Sequence, residues 1–192
     1  ADKYRPRSVS NRYARFYKTI YDMASAKVPD VKVLGYLYHN FMAAPTIDIK
    51  LNQNIIGEFV LYGTDNGWYP MTEAEDRWTR EQWLGWAKTG MSLVYRPNYM
   101  LSGYVIPEIT THHIADFLNF AYRNGMAAVY AESLRCHWAT NGPMSYLHYR
   151  LFWDPELTGA AVRKEYFSAF GPAAKPVEEY FDYWENHVHR DE

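Results

Sequence analysis

VKVLGYLYHNFMAAPTIDIKLNQNIIGEFVLYG, residues 31–63, decides the fold class. Its two ends, VKVLGYLYHN (31–40) and NIIGEFVLYG (54–63), are rich in β-branched and aromatic residues and lack a helical period, so each reads as a buried strand. The stretch between them has too little periodicity for a helix and reads as a short connection. A helix comes immediately before. Tyr13, Phe16, Tyr17, Ile20, Tyr21 and Ala24 follow the spacing of a single buried stripe, with Ser10 as N-cap and Pro29-Asp30 closing the element.

Downstream the alternation continues. A loop rich in Gly, Asp, Asn and Pro spans 63–71, and Thr72 with Glu75 forms a capping box for a helix running towards Gly90. MSLVYRP (91–97) is a third strand, stopped by its proline. A second loop, 98–108, leads to a helix with Ile114, Phe117, Leu118, Ala121 and Tyr122 on one face. Thr110 or Thr111 can cap that helix, and Asn124-Gly125 ends it. MAAVYAESL (126–134) is strand four. Three helices finish the chain: one opening with Pro143 at N1 and burying Met144, Leu147, Leu151 and Phe152, one over 158–170, and one with Val177, Tyr180, Phe181, Trp184 and Val188 on a stripe.

Strands alternating with helices imply an α/β fold with parallel pairing and right-handed crossovers. Four βα units are half of a (β/α)8 TIM barrel, which typically needs about 250 residues. The chain is therefore expected to be a single domain over 1–192, either a small open sheet or a C-terminal half-barrel with extra helices. In the second case one sheet edge requires cover from a missing N-terminal half or from self-association.

Composition narrows the function classes. A net charge of −2 gives no bulk attraction for nucleic acid, and no apolar run approaches the roughly 20 residues of a membrane span. The opening ADKYRPRSVSNRYARF lacks the apolar core of a signal peptide and reads as mature sequence. One cysteine, Cys136, forbids an internal disulfide. Aromatic residues make up an unusual 18%, including 18 Tyr and 7 Trp; such rings give core area, and they also line pockets for ligands with apolar faces and polar edges, sugars included.

GMAAVYAES, HWATNGPMSYLHYRLFWDPEL and EYFSAFGPAAKPVEEYFDYWE, together with SNRYARFYKTIYDMASAKVPDVKVLGYLYHN, resemble a bacterial family labelled domain of unknown function 4838. The likeness runs from about Ser8 to Asn186. It implies a glycoside-hydrolase-like (β/α)8 barrel in a large exported protein of carbohydrate-degrading bacteria, hence an extracellular or periplasmic setting and an upstream barrel half. It transfers no catalytic residue.

Site residues follow from the rule that barrel chemistry gathers at the C-terminal ends of strands. That rule selects His39, Asn40, Tyr62, Asp65, Tyr95, Arg96, Glu132 and Ser133. Glu132 stands in an otherwise apolar strand, where an ionised carboxylate needs a partner and a raised pKa suits a general acid. A pairing with Arg135 or Arg96 that merely fixes the strand end explains it equally. Glu58 is a second buried-looking carboxylate; a glycosidase pair needs separations of about 5–5.5 Å or about 6.5–9.5 Å. Its mid-strand depth favours a structural network instead. Asp65 and Glu108 reach the strand ends more naturally, though solvated charge or helix capping explains both.

Among the aromatics, Trp68, Tyr69, Tyr99 and Trp138 fall in post-strand loops. Trp138, beside His137 and Asn141, is the expected sugar platform, while Trp83, Trp86, Trp153 and Trp184 on helices are expected in the core. No metal site is expected, because His112 and His113 diverge on a helix, His137 and His148 lack a ligand neighbour of suitable spacing, and His187 and His189 lie at the end of the last helix, where cationic side chains favour the dipole. No cofactor fingerprint or nucleophile motif follows any strand. The function these features favour is a carbohydrate-active domain hydrolysing glycosidic bonds by acid/base chemistry within a longer protein, with this piece alone inactive. The alternatives are a non-catalytic carbohydrate-binding barrel and a small α/β association domain.

Overall fold

The computed structural model describes residues 7–61, 73–98, 107, 109–131 and 137–187. Two compact units emerge: a sheet unit built from residues 1–67, 71–97 and 123–130, and a helical unit built from the remainder.

In the sheet unit, four parallel strands lie in the order β1 (Val33–Leu37), β2 (Ile55–Leu61), β3 (Ser92–Pro97) and β4 (Met126–Val129). Sequential order is what successive βα units produce when each strand is laid beside the last, and the α/β expectation holds. Helix α1 (Ser10–Ser25) and helix α2 (Glu73–Ala87) both cover the face formed by the odd-numbered residues of β1, β2 and β3. Tyr17 of α1 lies on Gly35, where an added Cβ would stand 2.6 Å from Tyr17 Cζ. Trp83 of α2 packs edge-on to Phe59, with ring centres 5.4 Å apart. The β1–β2 connection carries only a 3-10 turn, His39–Phe41. It is pinned from α2, whose Trp86 indole donates to the Met42 carbonyl and whose Gln82 Oε1 accepts from the Ala44 amide.

Two expectations for α1 are corrected. Its sheet-facing residues are Ser10, Ala14 and Tyr17, whereas Phe16 is 54% exposed and Ile20 and Met23 are exposed beside it. The apolar arc is wide enough for two stripes, and the one centred on small Ala14 approaches the sheet most closely. The N-cap is Val9 rather than Ser10, which is already helical; the Ser8 hydroxyl accepts from the Ser10 amide.

The helical unit contains α3 (Thr111–Arg123, its last residue belonging to the sheet unit), α4 (Trp138–Trp153), α5 (Gly159–Ser168) and α6 (Ala174–His187). Ile114, Phe117, Leu118 and Ala121 are buried as the periodicity requires. Helix α4 begins five residues before Pro143 and is broken at Asn141, so the proline opens only its second segment. Trp153 is not a core residue; it is 87% exposed at the end of α4. On α6 only Phe181 of the expected stripe is buried among the described residues, and Tyr180 is exposed.

A charged network fastens three of these helices. Arg163 of α5 is buried and donates to Thr111 Oγ1 at 2.7 Å, to Glu185 Oε2 at 3.1 Å and to Asp182 Oδ1. Thr111 passes its own proton to Glu185 Oε2 at 2.8 Å, and Glu185 Oε1 accepts the His112 amide at 3.0 Å. The first turn of α3 is thus capped by a carboxylate 73 residues later in the chain, not by Thr110 or Thr111. Arg163→Met leaves the Glu185 carboxylate buried without its cation and is expected to cost roughly 3–5 kcal/mol in urea unfolding. The double substitution Arg163→Met/Glu185→Met should recover much of that loss.

His148 is fully buried in α4. Its Nδ1 lies 2.7 Å from the Met144 carbonyl, which can only accept, so Nδ1 carries the ring proton. Burial pushes its pKa down from 6.5 to about 4, against the opposing pull of that carbonyl. Across this window the unfolded chain binds a proton that the fold refuses, so stability is full above the ordinary value and falls as the pH drops through it. Between pH 6.5 and about pH 5 the loss from this group is expected to be about 2 kcal/mol. Urea melts across that range should show the slope flattened in His148→Gln.

Candidate functional site

Strand alternation puts Tyr36, Glu58, Val60, Val94 and Arg96 on the sheet face opposite α1 and α2. Pairing sets the rows: Tyr36 beside Glu58 beside Val94, and Val60 beside Arg96. Arg96 therefore stands one diagonal step from Glu58, within reach of a long side chain. Its Nε lies 3.4 Å from Glu58 Oε2, and both side chains are almost wholly buried.

The fourth member arrives by a defect. The register between β3 and β4 shifts after Leu93, so that Leu93 pairs with Met126 but Val94 with Ala128. Because side chains alternate with period two, this one-residue insertion at Ala127 moves everything after it to the other face. The Tyr130 amide donates to the Tyr95 carbonyl at 2.9 Å, and the Tyr130 ring arrives on the Arg96 side. The guanidinium carbon of Arg96 lies 5.0 Å from the centre of the Tyr36 ring and 5.8 Å from that of Tyr130. The result is a diagonal of Tyr36 from β1, Glu58 from β2, Arg96 from β3 and Tyr130 just past the end of β4. Its two ends are open, Tyr36 being 48% and Tyr130 51% exposed.

Burial raises the Glu58 pKa above its usual 4.5, and Arg96 pulls it back only in part. The carboxyl thus keeps its proton to a higher pH than a solvated glutamate, while a cation held between two rings stays beside it. A group in this state can donate a proton or a hydrogen bond to a ligand oxygen, and the flanking tyrosines offer apolar ring faces with polar tips.

Of the other expected residues, His39 sits just past β1 in a left-handed conformation (φ +47°) with its ring against Tyr38. The Asn40 carbonyl accepts the Val9 amide at 2.8 Å. Tyr95 is buried on the opposite face, towards α1 and α2. In the helical unit Trp138 is 55% exposed, and Asn141 is buried at the break in α4, with its amide donating to Thr140 Oγ1. Tyr62, Asp65, Trp68, Tyr69, Tyr99, Glu108, Glu132, Ser133, Arg135 and Cys136 lie outside the described residues. Tyr36 and Tyr130 are the members that sequence reading missed. The alternation of β1 was enough to find Tyr36; nothing in MAAVYAESL announces the bulge that turns Tyr130. Among the described residues no group of three His, Cys, Asp or Glu could hold a metal ion, and no helix is long and apolar enough to cross a membrane.

A family model described as domain of unknown function (DUF4838) matches residues 1–182. The chain belongs to this family. No curated protein and no solved structure matches it. The DUF4838 assignment agrees with the resemblance carried by the helix-then-strand opening and by the Trp138–Trp153 region.

The electrostatic assignment can be read directly. By carbon-13 NMR of the side-chain carboxyl, Glu58 should titrate above 4.5, and Arg96→Met should move its midpoint further up because only the burial contribution remains. A midpoint that stays put or falls in the variant would show that Arg96 does not hold this charge.

Proposed function

We propose that the chain is part of a glycoside-hydrolase-like, carbohydrate-active protein, in which the sheet face opposite α1 and α2 holds a sugar and carboxylates near the strand ends hydrolyse a glycosidic bond. The observation that supports this reading is the diagonal of Tyr36, Glu58, Arg96 and Tyr130, where two half-exposed rings flank a buried, charged hydrogen-bonding centre. A sugar matches that pattern, with C–H faces for the rings and hydroxyls for the charged groups.

Glu58 supplies one carboxyl with a raised pKa, which suits a proton donor. Hydrolysis requires a second, and Glu132 and Asp65 are the candidates the sequence offers. Arg96 holds the negative charge that appears on Glu58 once its proton has gone. In this reading His39 and Asn40, in the turn that follows β1, add hydroxyl contacts. The extracellular or periplasmic setting belongs to the same proposal.

A second reading, a carbohydrate-binding barrel without turnover, is favoured by one feature. Glu58 is tied to Arg96 with little exposed surface, as befits a group that positions its neighbours. Binding and cleavage of a broad glycan panel by the complete protein separate the two. Tyr36→Ala and Tyr130→Ala are expected to weaken binding roughly three- to tenfold, the worth of an aromatic contact. Glu132→Gln should abolish cleavage and keep binding if the protein is an enzyme, and change neither if it is a binder. Absence of any glycan binding or cleavage by the unaltered protein would overturn both.

A further inference from the structure

Helix α1 runs antiparallel to the strands. The amide of its Val9 N-cap donates to the Asn40 carbonyl at 2.8 Å, Tyr17 crosses Gly35 in mid-strand, and the chain turns back into β1 between Val28 and Val31. The first turn of α1 therefore stands at the C-terminal ends of the strands, the side on which parallel sheets collect their ligands. Arg7, Ser8, Val9, Asn11, Arg12 and Arg15 line a cavity of about 490 Å³ there, within the size range of small-molecule sites.

Charge sets this cavity apart. Its wall carries three arginines and no acidic residue, and among the described residues none of the three is paired with a carboxylate. The first turn of α1 has no acidic residue either. A helix opening is partially positive, so cations are unfavourable there and anions favourable. Arg12 and Arg15 also stand three apart on one helix, where like charges repel. The rest of the chain follows the opposite rule. Helix α2 opens with Glu73, Glu75 and Asp76, and Lys18, Arg80 and Arg150 each have a carboxylate oxygen within 3.1 Å. The Val9 N-cap provides no side-chain acceptor, and the Asn11 side chain is committed to Thr46, accepting its amide at 2.8 Å and donating to its hydroxyl at 2.9 Å. Packing does not explain three guanidinium groups around open space. An anion seated among them offsets both the dipole and their mutual repulsion.

The number and placement of the arginines select the kind of anion. A carboxylate presents two oxygens, which a single bidentate arginine satisfies. A phosphate or sulfate group presents three or more in tetrahedral directions, enough for forks that come from the segment before α1 and from its first two turns. No aromatic residue lines the cavity, so a ring has nothing to stack on and the oxyanion is the recognised part. We propose that this cavity binds the oxyanion of a phosphate or sulfate group through Arg7, Arg12 and Arg15. The proposal is independent of the carbohydrate reading above, because its residues and the charge of its ligand are different.

Titration of the nitrogen-15-labelled chain at neutral pH, with ionic strength held constant by sodium chloride, tests it. Backbone amide resonances over 8–15 should shift saturably with sodium phosphate or sodium sulfate. Arg12→Gln and Arg15→Gln should each weaken the response about tenfold, the loss of a charge-assisted hydrogen bond. Lys18→Gln removes the same charge from the same helix outside the cavity and should leave the affinity unchanged. All three side chains are exposed, so the variants keep the fold. Thermal melts give a second reading: Arg12→Gln should melt higher than the unaltered chain in chloride alone, because a cation leaves the positive helix end, and should gain less from added phosphate. Methyl phosphate and methyl sulfate separate the sources. A response to them assigns the site to an esterified group on a larger ligand, a response to the free ions alone assigns it to an inorganic ion, and either supports the proposal. A response no greater than that to sodium chloride, one matched by sodium acetate, one that survives both arginine substitutions, or one weakened equally by Lys18→Gln overturns it.

Discussion

A carboxylate at the centre of β2, a seven-residue strand otherwise made of apolar side chains and one glycine, has to be compensated where it stands. Glu58 cannot reach water by bending, because its backbone is paired on both sides, to β1 and to β3. Compensation therefore comes from within the sheet, and only a same-face residue one diagonal step away has the reach and the charge. Arg96 is that residue. Once it is fixed there, its own desolvation has to be met, and the rings of Tyr36 and Tyr130 present their electron-rich faces on either side. Buried ion pairs add little net stability compared with apolar packing, so this chain of requirements is better understood as fixing a polar centre in place than as stabilising the fold.

The bulge at Ala127 belongs to the same logic. Without it, Tyr130 would pair into the α1 and α2 face, and Arg96 would have an aromatic neighbour on one side only. An insertion that leaves one residue unpaired weakens an already short strand, and β4 is short, at four residues. Its compensation is positional: the strand end is turned so that a half-exposed ring meets the cation.

The parallel sheet, the short β1–β2 connection and the burial of Trp83 and Trp86 were legible because each depends on local composition or period. What failed depended on the partner. The stripe through Tyr13, Phe16 and Ile20 and the one through Ala14 and Tyr17 are both consistent with the α1 sequence, and close packing on Gly35 selects between them. A helical position predicts a core place for Trp153, yet burial is a one-way rule, since an apolar side chain need not be inside. The Glu185 cap on α3 was invisible because its donor and acceptor are 73 residues apart. At the site, Glu58 was legible as a buried carboxylate in an apolar strand and Arg96 as a residue at a strand end. Their pairing required the register, and Tyr130 required the bulge.

Gly35 has a further consequence at the outer side of β1. The Val33 amide donates to the Asn54 carbonyl, so Val33, Gly35 and Leu37 direct their backbone groups to β2, and Leu34 and Tyr36 direct theirs away from it. An unpaired strand edge invites association with any other strand. Here the Tyr17 ring slides over Gly35 and its hydroxyl donates to the Tyr36 carbonyl at 2.5 Å. Burial, with Tyr13 nearby, holds the Tyr17 proton well above the ordinary phenol range, which keeps the donor in place at any physiological pH. A carbonyl has two lone pairs, so among the described residues one remains, along with the Leu34 amide, for a strand that approaches in register. The edge is thus narrowed rather than closed: a strand that tolerates Tyr17 can still pair there, while indiscriminate edge-to-edge contact loses one of its hydrogen bonds. The same residue whose side chain is absent, Gly35, both seats α1 on the sheet and lets α1 guard the edge.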